Sequence, residues 1–265
     1  MTVRIRASGL ADFFDCPARA EAKHLLGLRT PMGSKALLGK AIHASTAVYD
    51  SAVLKRSGIT VDEAAGAAVD VFKRPEEEVA YEEDDDPKEL EGIAIALHGR
   101  YCREIAPTQE YAAVEVQCES LEITDLGITL TGTTDRIAQV GDGYGIRDLK
   151  SGKTAVKADG AVDTKGHAYQ LGVYELLGQH GSGIPITAPA KVIGLQAGKT
   201  AKGQRVAVSN DVIGARDVLV GDGESPGVLE ILANMLRAGT FPGNPRSMLC
   251  HERYCPIYNR CKFRR

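Results

Sequence analysis

The sequence predicts a mixed α/β domain, with one central β-sheet flanked by helices. Three observations predict it. Apolar residues recur at helical spacing through most of the first 110 positions. Segments rich in β-branched residues and separated by glycine turns fill 111–210. Helical spacing returns near residue 170 and again after 226. A chain of 265 residues can bury a substantial core, and no internal repeat or long linker calls for a second one. The expected organisation is a single domain over 1–265. Its parts are a mainly helical 1–110, a sheet core over 111–210, and a C-terminal helix with a cysteine-rich end over 226–265.

Taken in order, Ser8 is placed to cap a helix from about Gly9 to Leu26 that buries Leu10, Phe13, Phe14 and Ala18. A second helix is expected from Ser34 to Lys55, with Ala36, Leu37, Ile42 and Val48 inward, and a third from Asp62 to Lys73. Glu76 to Lys88, containing Glu82-Glu83-Asp84-Asp85-Asp86-Pro87, reads as a solvated segment before a helix from Leu90 to Ile105. Val114 to Ile123, Ile128 to Val140 and Tyr144 to Lys150 then read as strands, turned by Asp125-Leu126-Gly127 and Gly141-Asp142-Gly143. These glycines mark a hairpin rather than a phosphate loop, because no helix follows them. A helix over Thr164 to Gln179 comes next, and Lys191 to Gln196 pairs with Arg205 to Ser209 through Gly198 to Gly203. The last helix, Pro226 to Ala238, stops at Gly239, a residue suited to a C-cap.

Composition narrows the function classes. A formal net charge of −3 argues against a general nucleic-acid coat protein. The charge is unevenly spread: Glu76 to Glu91 is acidic, whereas Arg246 to Arg265 is basic, compatible either with DNA contact or with a solvated tail. No apolar run approaches the roughly 18–20 residues that cross a bilayer, and Met1 to Arg6 lacks the apolar stretch of a secretory signal. The expected location is the cytoplasm, where the six cysteines are thiols or metal ligands rather than disulfides.

The chemistry is concentrated in Asp148-Leu149-Lys150. On a strand, Asp148 and Lys150 share one face while Leu149 points to the core. A hairpin turning near residue 142 sets Asp135 opposite Asp148, and two carboxylates so close call for a cation between them. An oxygen-rich site of this kind suits magnesium or manganese rather than zinc. Gly132 leaves room for a backbone or a substrate to approach. Gln170 and Tyr174 share a helix face, as do Gly39 and His43. His24, His98, His167 and His180 read as packed or surface residues. Cys16, Cys250, Cys255 and Cys261 make four ligands for a tetrahedral zinc or an iron–sulfur cluster, with His251 able to replace a thiol. Cys102 and Cys118 read as buried structural thiols.

The motifs come in a familiar order. Ser8-Gly9-Leu10, Phe14-Asp15-Cys16-Pro17-Ala18-Arg19 and Gly39-Lys40-Ala41-Ile42-His43 resemble the opening of RecB-like nucleases of the PD-(D/E)XK superfamily. Gly132-Thr133-Thr134-Asp135-Arg136-Ile137, Arg147-Asp148-Leu149-Lys150-Ser151-Gly152-Lys153 and Gln170-Leu171-Gly172-Val173-Tyr174 are similar to their catalytic motifs. Gly239-Thr240-Phe241-Pro242-Gly243-Asn244-Pro245 resembles the approach to their iron–sulfur end, so the likeness runs from Ser8 to Cys261.

The resemblance implies a restriction-endonuclease-like core whose N- and C-terminal segments are joined by a metal cluster. It implies an exonuclease that hydrolyses DNA with magnesium or manganese, in phage recombination, DNA repair or CRISPR adaptation. His43, Asp135, Asp148 and the Leu149 carbonyl would hold the metal, and Lys150 would assist the attacking water. Gln170 and Tyr174 would position DNA or the lysine, and Glu115 would act around the ligands. Cys16, Cys250, Cys255 and Cys261 would hold a [4Fe–4S] cluster in preference to zinc. The family leaves two residues between the first two C-terminal cysteines, whereas four (His251 to Tyr254) stand here, so Cys250 or His251 completes the set. DNA is the implied partner, with a recombination or CRISPR adaptation protein beside it; a homo-oligomer is compatible and no membrane is expected. A non-cutting DNA-binding module that keeps the nuclease fold is the alternative. An unrelated zinc-stabilised protein is a third reading.

Overall fold

Strand pairing around residues 128–140 organises the molecule, a computed structural model that describes residues 2–264. The strands are β1 (Val3–Arg6), β2 (Met32–Gly33), β3 (Val79–Ala80), β4 (Tyr111–Ile123), β5 (Ile128–Val140), β6 (Gly143–Gly152), β7 (Lys191–Gln196) and β8 (Arg205–Val208). The α-helices are α1 (Asp12–Asp15), α2 (Pro17–Ala20), α3 (Ser34–Leu54), α4 (Val61–Lys73), α5 (Pro87–Arg100), α6 (Ala168–Ser182), α7 (Ala215–Val220) and α8 (Val228–Ala238). Six strands form a mixed sheet in the order β1-β5-β6-β7-β8, with β4 on the other edge of β5. β2 and β3 make a small parallel pair of their own.

Helices cover both faces. Leu38, Ile42, Ile93 and Leu97 of α3 and α5 pack with Leu149, Ile193 and Leu195 of the sheet. Ile128, Leu130, Ile137 and Ile146 pack instead with Leu171, Leu177, Leu219 and Leu232 of α6, α7 and α8. Leu149 is 1% exposed, the inward residue expected between Asp148 and Lys150. Together these make an α/β fold with a mixed central sheet flanked by helices. Among the described residues no helix is long and apolar enough to cross a membrane.

The edge of β5 is shared. β1 pairs in parallel with Ile128–Thr131, and β6 pairs antiparallel with Arg136–Val140. The last pair before β5 and β6 part is Arg136↔Arg147, so Asp135 and Asp148 sit where the two strands separate. The hairpin register expected from the Gly141 turn is the one found.

Several expectations are corrected. The first helix is not continuous from Gly9 to Leu26: Cys16 is extended (φ −146°, ψ 91°) because Pro17 disfavours a helical residue before it. Ser8 lies in a 3₁₀ turn over Ala7–Gly9 instead of capping a helix. On α3, Ala36 and Val48 face solvent, while Leu37, Leu38, Ala41 and Ile42 form the inward stripe. The helix expected from Leu90 starts at Pro87, capped by the Asp86 side chain, and passes into a π turn over Tyr101–Ile105. The helix expected from Thr164 begins at Ala168. β1 and α7 were not anticipated; at four and six residues both are too short to show a period.

Candidate active site

α3 lies close against β6 at Gly39, beside Ser151. A Cβ there would come within 3.1 Å of Ser151 Oγ, an approach that a rotating hydroxyl can ease but that leaves no room for a larger side chain. One turn on, His43 reaches the fork between β5 and β6. Its Nε2 lies 3.0 Å from the Leu149 carbonyl oxygen and its Nδ1 3.5 Å from Asp135 Oδ1. A carbonyl only accepts, so Nε2 carries a proton in this arrangement.

Asp135 Oδ2 accepts the Leu149 N–H at 2.8 Å. Lys150 Nζ donates to Asp148 Oδ1 at 2.7 Å and pairs with Asp148 Oδ2 as well, so the ammonium faces both oxygens of the buried carboxylate. Both carboxylates are almost wholly inaccessible, yet they differ in proton affinity. Burial raises the Asp135 pKa, but the charge and hydrogen bond of His43, with Lys150 and the Leu149 N–H, bring it down. For Asp148 burial prevails over Lys150, and the Asp135 charge adds to it, lifting the carboxyl to about 6. Burial lowers the His43 pKa, and the neighbouring Asp135 carboxylate raises it by more.

On α6, Gln170 Nε2 donates to the Tyr174 hydroxyl at 2.8 Å. Burial first, then the charges of Asp135 and Asp148, push the Tyr174 pKa up, which keeps the phenol protonated beside the two acids. The room expected at Gly132 is taken by packing: a Cβ there would meet Leu177 Cδ1 at 3.2 Å and Ala7 Cβ at 3.3 Å. Glu115 on β4 comes closer to the acids than expected. Its carboxylate, a His43 nitrogen and an Asp135 oxygen lie within 4.8 Å of one another, a group that could hold a metal ion.

The profile of the PD-(D/E)XK nuclease superfamily matches residues 4–262. The chain belongs to this superfamily. Among curated proteins none matches it. Superfamily membership supplies the activity class, divalent-metal-dependent nuclease action on DNA. The residues of this PD-(D/E)XK site fit magnesium or manganese, because the donors at the fork are mainly carboxylate and carbonyl oxygens with one imidazole.

The two chain ends of this nuclease meet. Cys16, Cys250, Cys255 and Cys261 line one small pocket, whereas Cys102 and Cys118 are buried elsewhere. Asn244 N–H donates to Cys16 Sγ at 3.3 Å, Asn244 Nδ2 to the Asp15 carbonyl at 2.9 Å, and Ser247 Oγ to Asp15 Oδ2 at 2.6 Å. His251 is exposed and stacks on Tyr258, which lines that pocket, but is not itself part of the lining.

Sequence reasoning passed over Arg136 and Asp50. They pair at 2.7 Å with both side chains buried, 86 residues apart in the chain. No local pattern marks such a pair, because β5 is rich in threonine and carries Asp135 beside the arginine; only burial shows that Arg136 must be met by an acid.

Proposed function

We propose that the chain is a metal-dependent DNA exonuclease of the RecB-like branch, of the kind used in phage recombination, DNA repair or CRISPR adaptation. The observation that carries it is the convergence of His43, Asp135, the Leu149 carbonyl, Asp148 and Lys150 at the β5–β6 fork. His43, Asp135, Asp148 and the Leu149 carbonyl are the groups that would hold magnesium or manganese. Bound there, the ion supplies Lewis acidity, neutralising phosphate charge and acidifying a water.

The protein groups do the rest. Lys150, fixed by its bond to Asp148, presents its ammonium where the attacking water and the phosphorane charge develop. Gln170 orients the Tyr174 hydroxyl toward the acids, where the pair positions the DNA backbone or the lysine. Burial of Asp148 keeps its charge unscreened, so it acts on the site and not on bulk water.

The second part of this reading is a [4Fe–4S] cluster held by Cys16, Cys250, Cys255 and Cys261. Support comes from their shared pocket and from the Cys255 thiol, pushed up by burial and then by the three neighbouring cysteines. A tetrahedral zinc with bonds of about 2.3 Å needs sulfurs about 3.8 Å apart. Among the described residues no three of these thiols lie within 4.8 Å of one another. Metal analysis of the purified protein separates iron from zinc directly.

The test is incubation of anaerobically purified protein with end-labelled linear and circular DNA, single- and double-stranded, with magnesium, manganese or chelator. Metal-dependent loss of linear but not circular DNA is expected, with the label reporting polarity. Cleavage of circles would replace the exonuclease by an endonuclease, and chelator-resistant cleavage would sink the metal mechanism.

A further inference from the structure

Glu115 carries a strained backbone that its visible contacts do not require. Its φ is +50°, in the left-handed region, on a strand where extended geometry would satisfy the ladder. The register runs Val114↔Arg136 and then Val116↔Thr134, so Glu115 stands across from Asp135. Residues opposite one another on antiparallel strands project from the same face. Two acids are thereby brought to one place, with His43 completing a group of ligand atoms within 4.8 Å.

Arg136 aims Glu115. Its NH1 donates to Glu115 Oε1 at 2.8 Å and to the Asp135 backbone oxygen at 2.7 Å. Its Nε donates to Asp50 Oδ2 at 2.7 Å, and Tyr101 OH donates to the same oxygen at 2.6 Å. Its NH2 reaches Thr46 Oγ1 at 3.3 Å. The guanidinium is wholly buried, so this fork joins β4, β5 and α3 in one fixed unit. The Glu115 side chain is 40% exposed, and an ion pair so open to water stabilises a fold too weakly to explain the strain.

We propose that Glu115 is a third acidic ligand of the divalent-cation site, and that Arg136, anchored by Asp50, is the positioning residue that holds it and Asp135 in place. The proposal rests on the metal-nuclease reading and adds a residue to its site. It assigns the left-handed turn of β4 a purpose, which is to bring the carboxylate toward His43 and Asp135. The ligand class is a hard divalent cation, because the added donor is oxygen.

Calorimetric titration with Mn2+, without DNA, tests it on the wild-type chain, Glu115→Gln and Arg136→Lys, with circular dichroism as a check of folding. Glu115→Gln keeps the size of the side chain and an acceptor for Arg136, so the fold should persist. Its Mn2+ affinity is expected to fall by about tenfold or more. Folded Arg136→Lys should also bind Mn2+ more weakly, because an ammonium cannot span Asp50, Glu115 and the Asp135 carbonyl together. Should that buried substitution not fold, Glu115→Gln decides alone. Wild-type affinity in Glu115→Gln would overturn the proposal and leave a structural ion pair. Absence of Mn2+ binding in the wild type would overturn the cation site and Glu115's place in it. Mn2+ binding without DNA cleavage would sink the nuclease reading and leave Glu115 standing.

Discussion

Each acid at the β5–β6 fork is given a different electrostatic role by its immediate neighbours. Asp135 is surrounded by donors and cations and stays ionised, while Asp148 is buried against a single ammonium and holds a proton up to about pH 6. The sign of the consequence follows. The raised pKa values of Asp148 and His43 stabilise the metal-free protein when these groups are protonated, fully below their unfolded values, and that contribution is lost as pH rises through the folded ones. Metal binding needs both groups deprotonated. Mn2+ affinity measured by calorimetry is therefore expected to fall from about pH 7.5 to about pH 5.5, while these groups add stability to the metal-free protein over the same interval. The opposing contribution of Asp135, whose pKa is lowered, is lost only as pH drops below its ordinary 3.8. Constant Mn2+ affinity across the interval would count against Asp148 as a ligand.

Substitution at Lys150 and Asp148 tests their chemistry. Lys150→Ala removes a fixed charge from the developing phosphorane, which is expected to cost about 10²–10³ in kcat with little change in melting temperature. Asp148→Ala should match it in activity and weaken the pH dependence of Mn2+ binding, leaving the part that His43 contributes. Undiminished cleavage by either variant would remove the residue from the mechanism.

At the scale of elements, the contact between α3 and β6 delivers His43. Gly39 leaves 3.1 Å between an added Cβ and Ser151 Oγ, a clearance a rotating hydroxyl can absorb but a branched side chain cannot. Gly39→Val is expected to lift α3 and reduce kcat/KM by roughly tenfold to hundredfold, since small misplacements of catalytic groups cost that much. Gly39→Ala should stay near wild type. Equal activity in both would show that α3 does not set the position of His43. The same scale explains why α1 and α2 are separate. Pro17 forces Cys16 into extended backbone, and that break turns the thiol toward residues 242–261.

Across the whole molecule, the segment around Asp15 and Cys16 meets the segment around Asn244 and Ser247. Hydrogen bonds from Asn244 and Ser247 to Asp15 and Cys16 already join these segments, and a shared cluster would lock them. Cys16→Ala and Cys261→Ala are each expected to lose visible absorbance and several degrees of melting temperature together, measured on anaerobic protein. Colour and stability retained in both would overturn the iron–sulfur proposal. A colourless wild type holding one zinc would point to the simpler site.

The fold class, the long helices and the β5–β6 hairpin were legible because period and turn chemistry are local. Helical spacing in Ser34–Leu54 and glycines at 141 and 143 act through neighbours a few residues away. Asp135, Asp148 and Lys150 could be placed together for the same reason, since a hairpin register relates them by counting. What the sequence left undecided depended on distance in the chain. The Asp50–Arg136 pair, the place of Glu115 across from Asp135, and the parallel docking of β1 on β5 each join residues that no periodicity connects. Burial makes these contacts obligatory, because an arginine without water must find acids wherever the fold has placed them. The sequence by itself determined the β5–β6 hairpin and the placing of Asp135 near Asp148. Only tertiary packing decided which other residues complete the site around it.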